Sequence, residues 1–188
     1  MSDHVTFTFI TGGAYQGKLN YALSLFHSNP VLLIDGSAVP EDWFSSSLES
    51  SSLNDMDAVR LVLAERERSN IGSDDMHIAF LEEEPDKLDM EGVTLDAIVN
   101  HAEMMVKVIR SLSMTPEKAL ENLLSNFKRS NQIGRLVIIA DEVGSGVVPL
   151  GKEARLDREY AGKLAVACAS RASQVVHVLA GIPIVIKQ

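Results

Sequence analysis

Short apolar runs closed by turn residues recur along the chain at Val5–Ile10, Val31–Ile34, His77–Leu81, Leu136–Ala140 and Val175–Ala180. Between them lie longer stretches whose apolar residues repeat every three or four positions, so strands alternate with helices. Val31-Leu-Leu-Ile34 and Leu136-Val-Ile-Ile-Ala140 contain no polar residue at all. Strands of that kind are covered on both faces, which predicts a mostly parallel central sheet in a three-layer α/β fold.

The helical segments have their own punctuation. From Thr94, residues Leu95, Ile98, Val99, Ala102, Val106 and Ile109 fall at helical spacing, with Asp96, Asn100 and Lys107 opposite, predicting an amphipathic helix. Its polar margin would carry His101. Thr115-Pro116-Glu117 places a capping hydroxyl, a first-position proline and an acid at the start of a helix that buries Leu120, Leu123, Leu124 and Phe127. A last helix is expected over about Glu153 to Arg171, and Ala180-Gly-Ile-Pro183 predicts a tight turn into a short terminal strand. The serine-rich Ser45–Ser52 reads as a mobile surface loop, with a lid over a ligand as the alternative, and Asp55–Arg68 as helix-like.

Composition narrows the field. With 188 residues, no repeat and no linker, one domain spanning 1–188 is expected. No run approaches the ~20 apolar residues of a membrane span, and the first residues lack the pattern of a secretory signal, so the expected location is the cytoplasm. One cysteine, Cys168, excludes an internal disulfide and a multi-cysteine metal site. A net charge of −9 argues against a protein that grips nucleic-acid backbones. What remains favoured is a local positive site, such as a pocket for nucleotide phosphates.

Such a site is written near the start. Gly12, Gly17 and Lys18 give G-x-x-x-x-G-K between a predicted strand and a predicted helix, Leu19–His27. In that setting the amides of Gly13, Ala14, Tyr15 and Gln16, the start of the helix and the Lys ammonium converge on phosphate oxygens of GTP or ATP. The hydroxyl residue that normally follows the lysine and helps to hold Mg²⁺ is Leu19 here, which weakens that ion's seat. Acids end several predicted strands: Asp35 with Gly36 and Ser37 beside it, Glu82, and Asp141-Glu142. Ligands bind at that carboxyl edge in open α/β sheets. Lys18, Glu82 and Glu142 are the candidate catalytic residues, and Asp35 and Glu82 the candidate metal ligands. The five histidines lack metal-ligand spacing, and His177, inside an apolar strand, reads as a core residue. No nucleophile and base pair suggests a hydrolase triad.

Four segments taken together are more specific than any one. Thr11-Gly-Gly-Ala-x-x-Gly-Lys18, Asp141-Glu-Val-Gly-Ser-Gly-Val-Val-Pro149, Arg155-Leu-Asp-Arg-Glu-Tyr-Ala-Gly162 and Ala180-Gly-Ile-Pro-Ile-Val-Ile-Lys187 resemble the adenosylcobinamide kinase/adenosylcobinamide-phosphate guanylyltransferase family. The resemblance is strongest in the C-terminal third and weakest over about residues 45–130. It implies a homo-oligomeric, P-loop NTPase-like protein that phosphorylates the aminopropanol hydroxyl of adenosylcobinamide and then transfers GMP through a guanylylated histidine. By position, Gly12–Lys18 would hold the nucleotide phosphates, Asp35–Ser37 would line that site, and Glu82 would be the functional acid of its strand.

The departures from the family bear on activity. The region from Phe44 to Arg68, where the guanylylated histidine is expected, contains no histidine. Gly162-Lys163 and Ala165-Val166 stand where the family shows Gly-Arg and Asn-Gln. The reading is an ATP- or GTP-dependent phosphotransferase of cobinamide kinase type whose guanylyltransferase step lacks a nucleophile. Its rivals are a diverged homologue that binds a nucleotide or corrinoid without catalysis, and a kinase for another small alcohol.

Overall fold

The computed structural model describes residues 6–26, 30–45, 59–62, 94–129, 133–144, 146 and 149–188, with backbone alone for 59–62. The predicted strand His77–Leu81, the acid Glu82, His27 and nearly all of the serine-rich loop lie outside the described residues.

Among the described residues seven strands form one sheet: β1 (Thr6–Gly12), β2 (Val31–Asp35), β3 (Val59–Val62), β4 (Leu95–Asn100), β5 (Ile133–Asp141), β6 (Gln174–Leu179) and β7 (Ile182–Lys187). Their spatial order is β3-β2-β4-β5-β1-β6-β7. The five inner strands run parallel, whereas β3 and β7 pair antiparallel at the two edges. Strand alternation divides the core. On β5, Leu136 and Ile138 face one apolar cluster while Val137 and Ile139 face the other. Helices α2 (Val106–Ser111), α3 (Pro116–Arg129) and α4 (Lys152–Arg171) cover the first cluster, and α1 (Lys18–Ser24) covers the second. The result is the three-layer, mostly parallel α/β fold expected from the sequence.

Two segments differ from their sequence patterns. Leu95–Asn100 is not the first half of a helix but β4, inserted between β2 and β5. Leu95, Ala97, Ile98 and Val99 are all buried, and a strand covered on both faces needs apolar residues at successive positions, which also match part of a helical repeat. The helical turns begin only at Ala102. Within the helix-like Asp55–Arg68, residues Val59–Val62 form β3, because pairing with β2 outweighs a weak local preference.

The predicted punctuation holds elsewhere. Thr115 Oγ1 accepts from the Lys118 amide at 3.3 Å, capping α3. Asn122 and Asn126, on the buried side of α3, donate to the carbonyls of Phe44 at 2.6 Å and Trp43 at 2.7 Å. These bonds fasten the 3-10 turn Glu41–Phe44, whose Trp43 meets Phe127 edge to face. Between β6 and β7 the chain reverses through Ala180 (φ 50°) and Gly181 (φ 80°), the two left-handed residues of a tight hairpin turn. No helix among the described residues is long and apolar enough to cross a membrane.

Candidate functional site

Parallel pairing aligns the carboxyl ends of the inner strands. Gly12 lies opposite Asp141, Asp35 opposite Asn100, and Thr11 opposite His177. The chain leaves β1 toward β2 on one side and reaches β6 on the other, so the direction of winding reverses beside β1. That reversal opens the crevice in which open α/β sheets bind ligands.

The loop Gly12–Lys18 enters this crevice. A Cβ on Gly12 would lie 2.3 Å from the Val178 carbonyl oxygen, so only glycine lets β1 turn here against β6. Tyr15 (φ 58°) and Gly17 (φ 83°) are left-handed, and the chain then enters α1 at Lys18. The turn is fastened from outside: Gly181 donates to the Gln16 carbonyl at 3.1 Å, and the Ala180 amide donates to Gln16 Oε1. Thus the C-terminal Ala180-Gly181 turn supports the N-terminal loop. Ala14 and Tyr15 are exposed at its tip, and Leu19 is half-buried against the α1 side of the core.

Lys18 is the inward-facing residue of the loop, only 6% exposed. Its ammonium lies 2.6 Å from Asp141 Oδ1 and donates to the Gly13 carbonyl at 2.6 Å. Asp141 in turn donates its amide to Glu103 Oε2 at 2.9 Å, and the imidazole Nδ1 of His101 lies 3.5 Å from Glu103 Oε1. Glu142, next along, donates its amide to the Gly12 carbonyl at 3.0 Å, and its carboxylate faces His177 Nε2 at 3.7 Å. His177 is therefore not a fully buried core histidine; its imidazole is 28% exposed beside Glu142. The geometry offers a fixed cation, several acids and two imidazoles on one edge.

Asp35, Gly36 and Ser37 close the neighbouring strand. Asp35 Oδ1 accepts from the Ser37 amide at 2.9 Å and from its hydroxyl at 2.8 Å. Gly36 donates to the Asn100 carbonyl at 2.7 Å, and a Cβ there would meet the His101 oxygen at 2.4 Å. This contact sets the course of the chain as it leaves β4, where His101 takes a left-handed conformation (φ 56°). Sequence reasoning missed His101 and Glu103 because it placed them on a helix. The usable signal was the change from apolar Ala97-Ile-Val99 to polar Asn100-His101, which marks a strand end as readily as a helix face.

Beyond Glu103 and Glu142 opens a cavity of about 470 Å³, with Met104, Lys107, Pro149 and Arg158 among its walls. The loop forming one side is held by arginines of α4. Arg158 donates to the Gly144 carbonyl, and Arg155 to those of Leu150 at 2.6 Å and Pro149 at 3.3 Å. The Arg155–Gly162 segment thus shapes the wall beside the acids.

No curated protein matches the chain. A family profile, that of cobinamide kinase / cobinamide phosphate guanyltransferase, matches residues 75–186, more than half the chain. The matched span holds β4 to β6, the acids at their ends and the arginines of α4, while the Gly12–Lys18 loop precedes it. The chain belongs to the cobinamide kinase / cobinamide phosphate guanyltransferase family, nucleotide-dependent transferases of cobalamin biosynthesis.

Proposed function

We propose that this protein binds GTP or ATP on the Gly12–Lys18 loop and transfers the γ-phosphoryl group to the aminopropanol hydroxyl of adenosylcobinamide in the cytoplasm. The observation that carries this reading is Lys18, held between the Gly13 carbonyl and Asp141 at the mouth of the crevice. A cation fixed in a shielded position offsets charge on a transferring phosphoryl group more effectively than one in water. Loop amides from Gly13 to Gly17 hold the phosphate oxygens, while Asp35, Gly36 and Ser37 line the nucleotide site from the next strand. Glu142, facing both His177 and the 470 Å³ cavity, takes the proton of the acceptor hydroxyl. The cavity wall of Met104, Val106 and Pro149 receives the apolar part of the acceptor.

Mg²⁺ would supply positive charge that offsets the charge on the phosphate oxygens. Its oxygen-seeking chemistry suits the carboxylates at this edge, with Asp35 and Glu82 as the ligands expected from sequence. The guanylyl half-reaction is absent on this reading, since Phe44 to Arg68 carries no histidine to accept GMP.

The test is incubation of the purified chain with adenosylcobinamide and γ-labelled or α-labelled GTP. Label should pass from the γ position to cobinamide, and the Lys18→Ala variant should lose at least about 100-fold of the rate. An acid-labile protein adduct from α-labelled GTP would overturn the missing guanylyl step; no transfer from any triphosphate would overturn the kinase. Leu19 favours one rival, a homologue that binds nucleotide without turnover, whose mark is metal-independent binding in calorimetry. Phosphorylation of other small alcohols but not cobinamide would mark a changed substrate.

A further inference from the structure

The carboxyl edge also assembles donors that phosphate binding by the loop does not require. His101 leaves β4 in a conformation set by the close passage of Gly36, and Glu103 follows on the first helical turn. Asp141 ends the adjacent strand, and its amide fixes Glu103 Oε2. One ligand atom from each of these three side chains lies within 4.8 Å of the other two. The set is partly shielded, with Glu103 11% and His101 50% exposed. Lys18 contributes one positive charge against the two carboxylates, so the cluster retains an excess of negative charge. Separately, Leu19 has removed the hydroxyl that would anchor a metal on the loop side.

We infer that His101, Glu103 and Asp141 form a divalent-cation site that favours a first-row transition ion over Mg²⁺. The reason is the imidazole. Mg²⁺ prefers an octahedron of oxygens and keeps its waters, whereas Mn²⁺, Co²⁺ and Zn²⁺ accept a mixed nitrogen and carboxylate set. Three protein donors leave positions open to water or a phosphate oxygen, as in catalytic metal sites. The ion's role rests on the nucleotide site proposed above, but its binding does not.

The experiment therefore omits nucleotide. Untagged full-length protein is titrated with Mn²⁺ alone at pH 7.5, following loss of the free-ion electron paramagnetic resonance signal, and the bound ion is examined by pulsed methods for coupling to nitrogen. The expected result is one saturable site with nitrogen coupling, which His101→Ala abolishes and Glu103→Gln weakens about tenfold or more. Mg²⁺ should compete only at much higher concentration. No nitrogen coupling in the unmodified chain overturns the inference whether or not the variants fold, and so does unchanged binding by a folded His101→Ala. Mn²⁺ bound at His101 without phosphotransfer would remove the kinase reading alone. Phosphotransfer with Mg²⁺ in a chain that shows no nitrogen-coupled site would remove only the metal inference.

Discussion

At the scale of single residues, the shape of the loop proposed to hold phosphate depends on Gly12. Alanine there would combine a positive φ of 146° with a Cβ 2.3 Å from a backbone oxygen of β6, which cannot move without disturbing the sheet. Gly12→Ala should lose about 2–4 kcal/mol in urea unfolding and most triphosphate binding. A stable variant that still binds would show that the loop tolerates a shift of β6. Cys168 provides a second residue-scale test. Burial pushes its thiol up to about 12, so it stays protonated at neutral and mildly alkaline pH. Iodoacetamide at pH 8 should label the native chain negligibly and the urea-unfolded chain fully, which mass spectrometry reads directly.

At the scale of elements, legibility follows the number of independent signals. For α3 they agree: a capping threonine, a first-turn proline and an apolar stripe all specify the helix that forms. The loop before α1 is equally plain, because its glycines and lysine stand at fixed spacing within one short segment. Leu95–Asn100 carries one signal only, an apolar run that suits a buried strand and a helix alike, and neighbours distant in sequence decide the outcome. Misplacing β4 hid His101 and Glu103, whose proximity to Asp141 is created by strand pairing. Asp96 illustrates the same dependence. It is fully buried on β4, and its Oδ2 accepts from Arg135 of β5 at 3.1 Å, while that guanidinium also covers the Phe26 ring at 4.9 Å. Arg135→Ala, which takes a half-exposed, solvent-screened guanidinium from one oxygen of this carboxyl, should cost about 1–3 kcal/mol. A loss below about 1 kcal/mol in chemical unfolding would mean that Asp96 draws its support from other partners.

At the scale of the whole molecule, one edge of the sheet stands out. Ile182, Ile184, Val185 and Ile186 of β7 are 43% to 65% exposed, and Lys187, the charged residue of the strand, donates to the Ala169 and Ser170 carbonyls at 3.0 Å each. An apolar edge strand whose charge is turned back onto α4 is poorly guarded against pairing with another chain. In keeping with the homo-oligomer implied by the family resemblance, light scattering after size exclusion should give a mass above 20.5 kDa, and Ile184→Lys with Ile186→Lys should return it to the monomer. A monomer at all accessible concentrations would refute this assignment of the edge.

The fastening of Gln16 by Ala180 and Gly181 gives that edge a second meaning. The hairpin that leads into β7 and the loop proposed to hold phosphate share hydrogen bonds, so a change of position in one is felt by the other. Thermodynamic reciprocity then requires that, if assembly through β7 alters nucleotide affinity, nucleotide alters assembly by the same factor. Two neutral hydrogen bonds limit that exchange to about 2 kcal/mol, roughly thirtyfold in either constant. The end of the chain would thereby serve as a report line between the occupancy of one subunit and its neighbours.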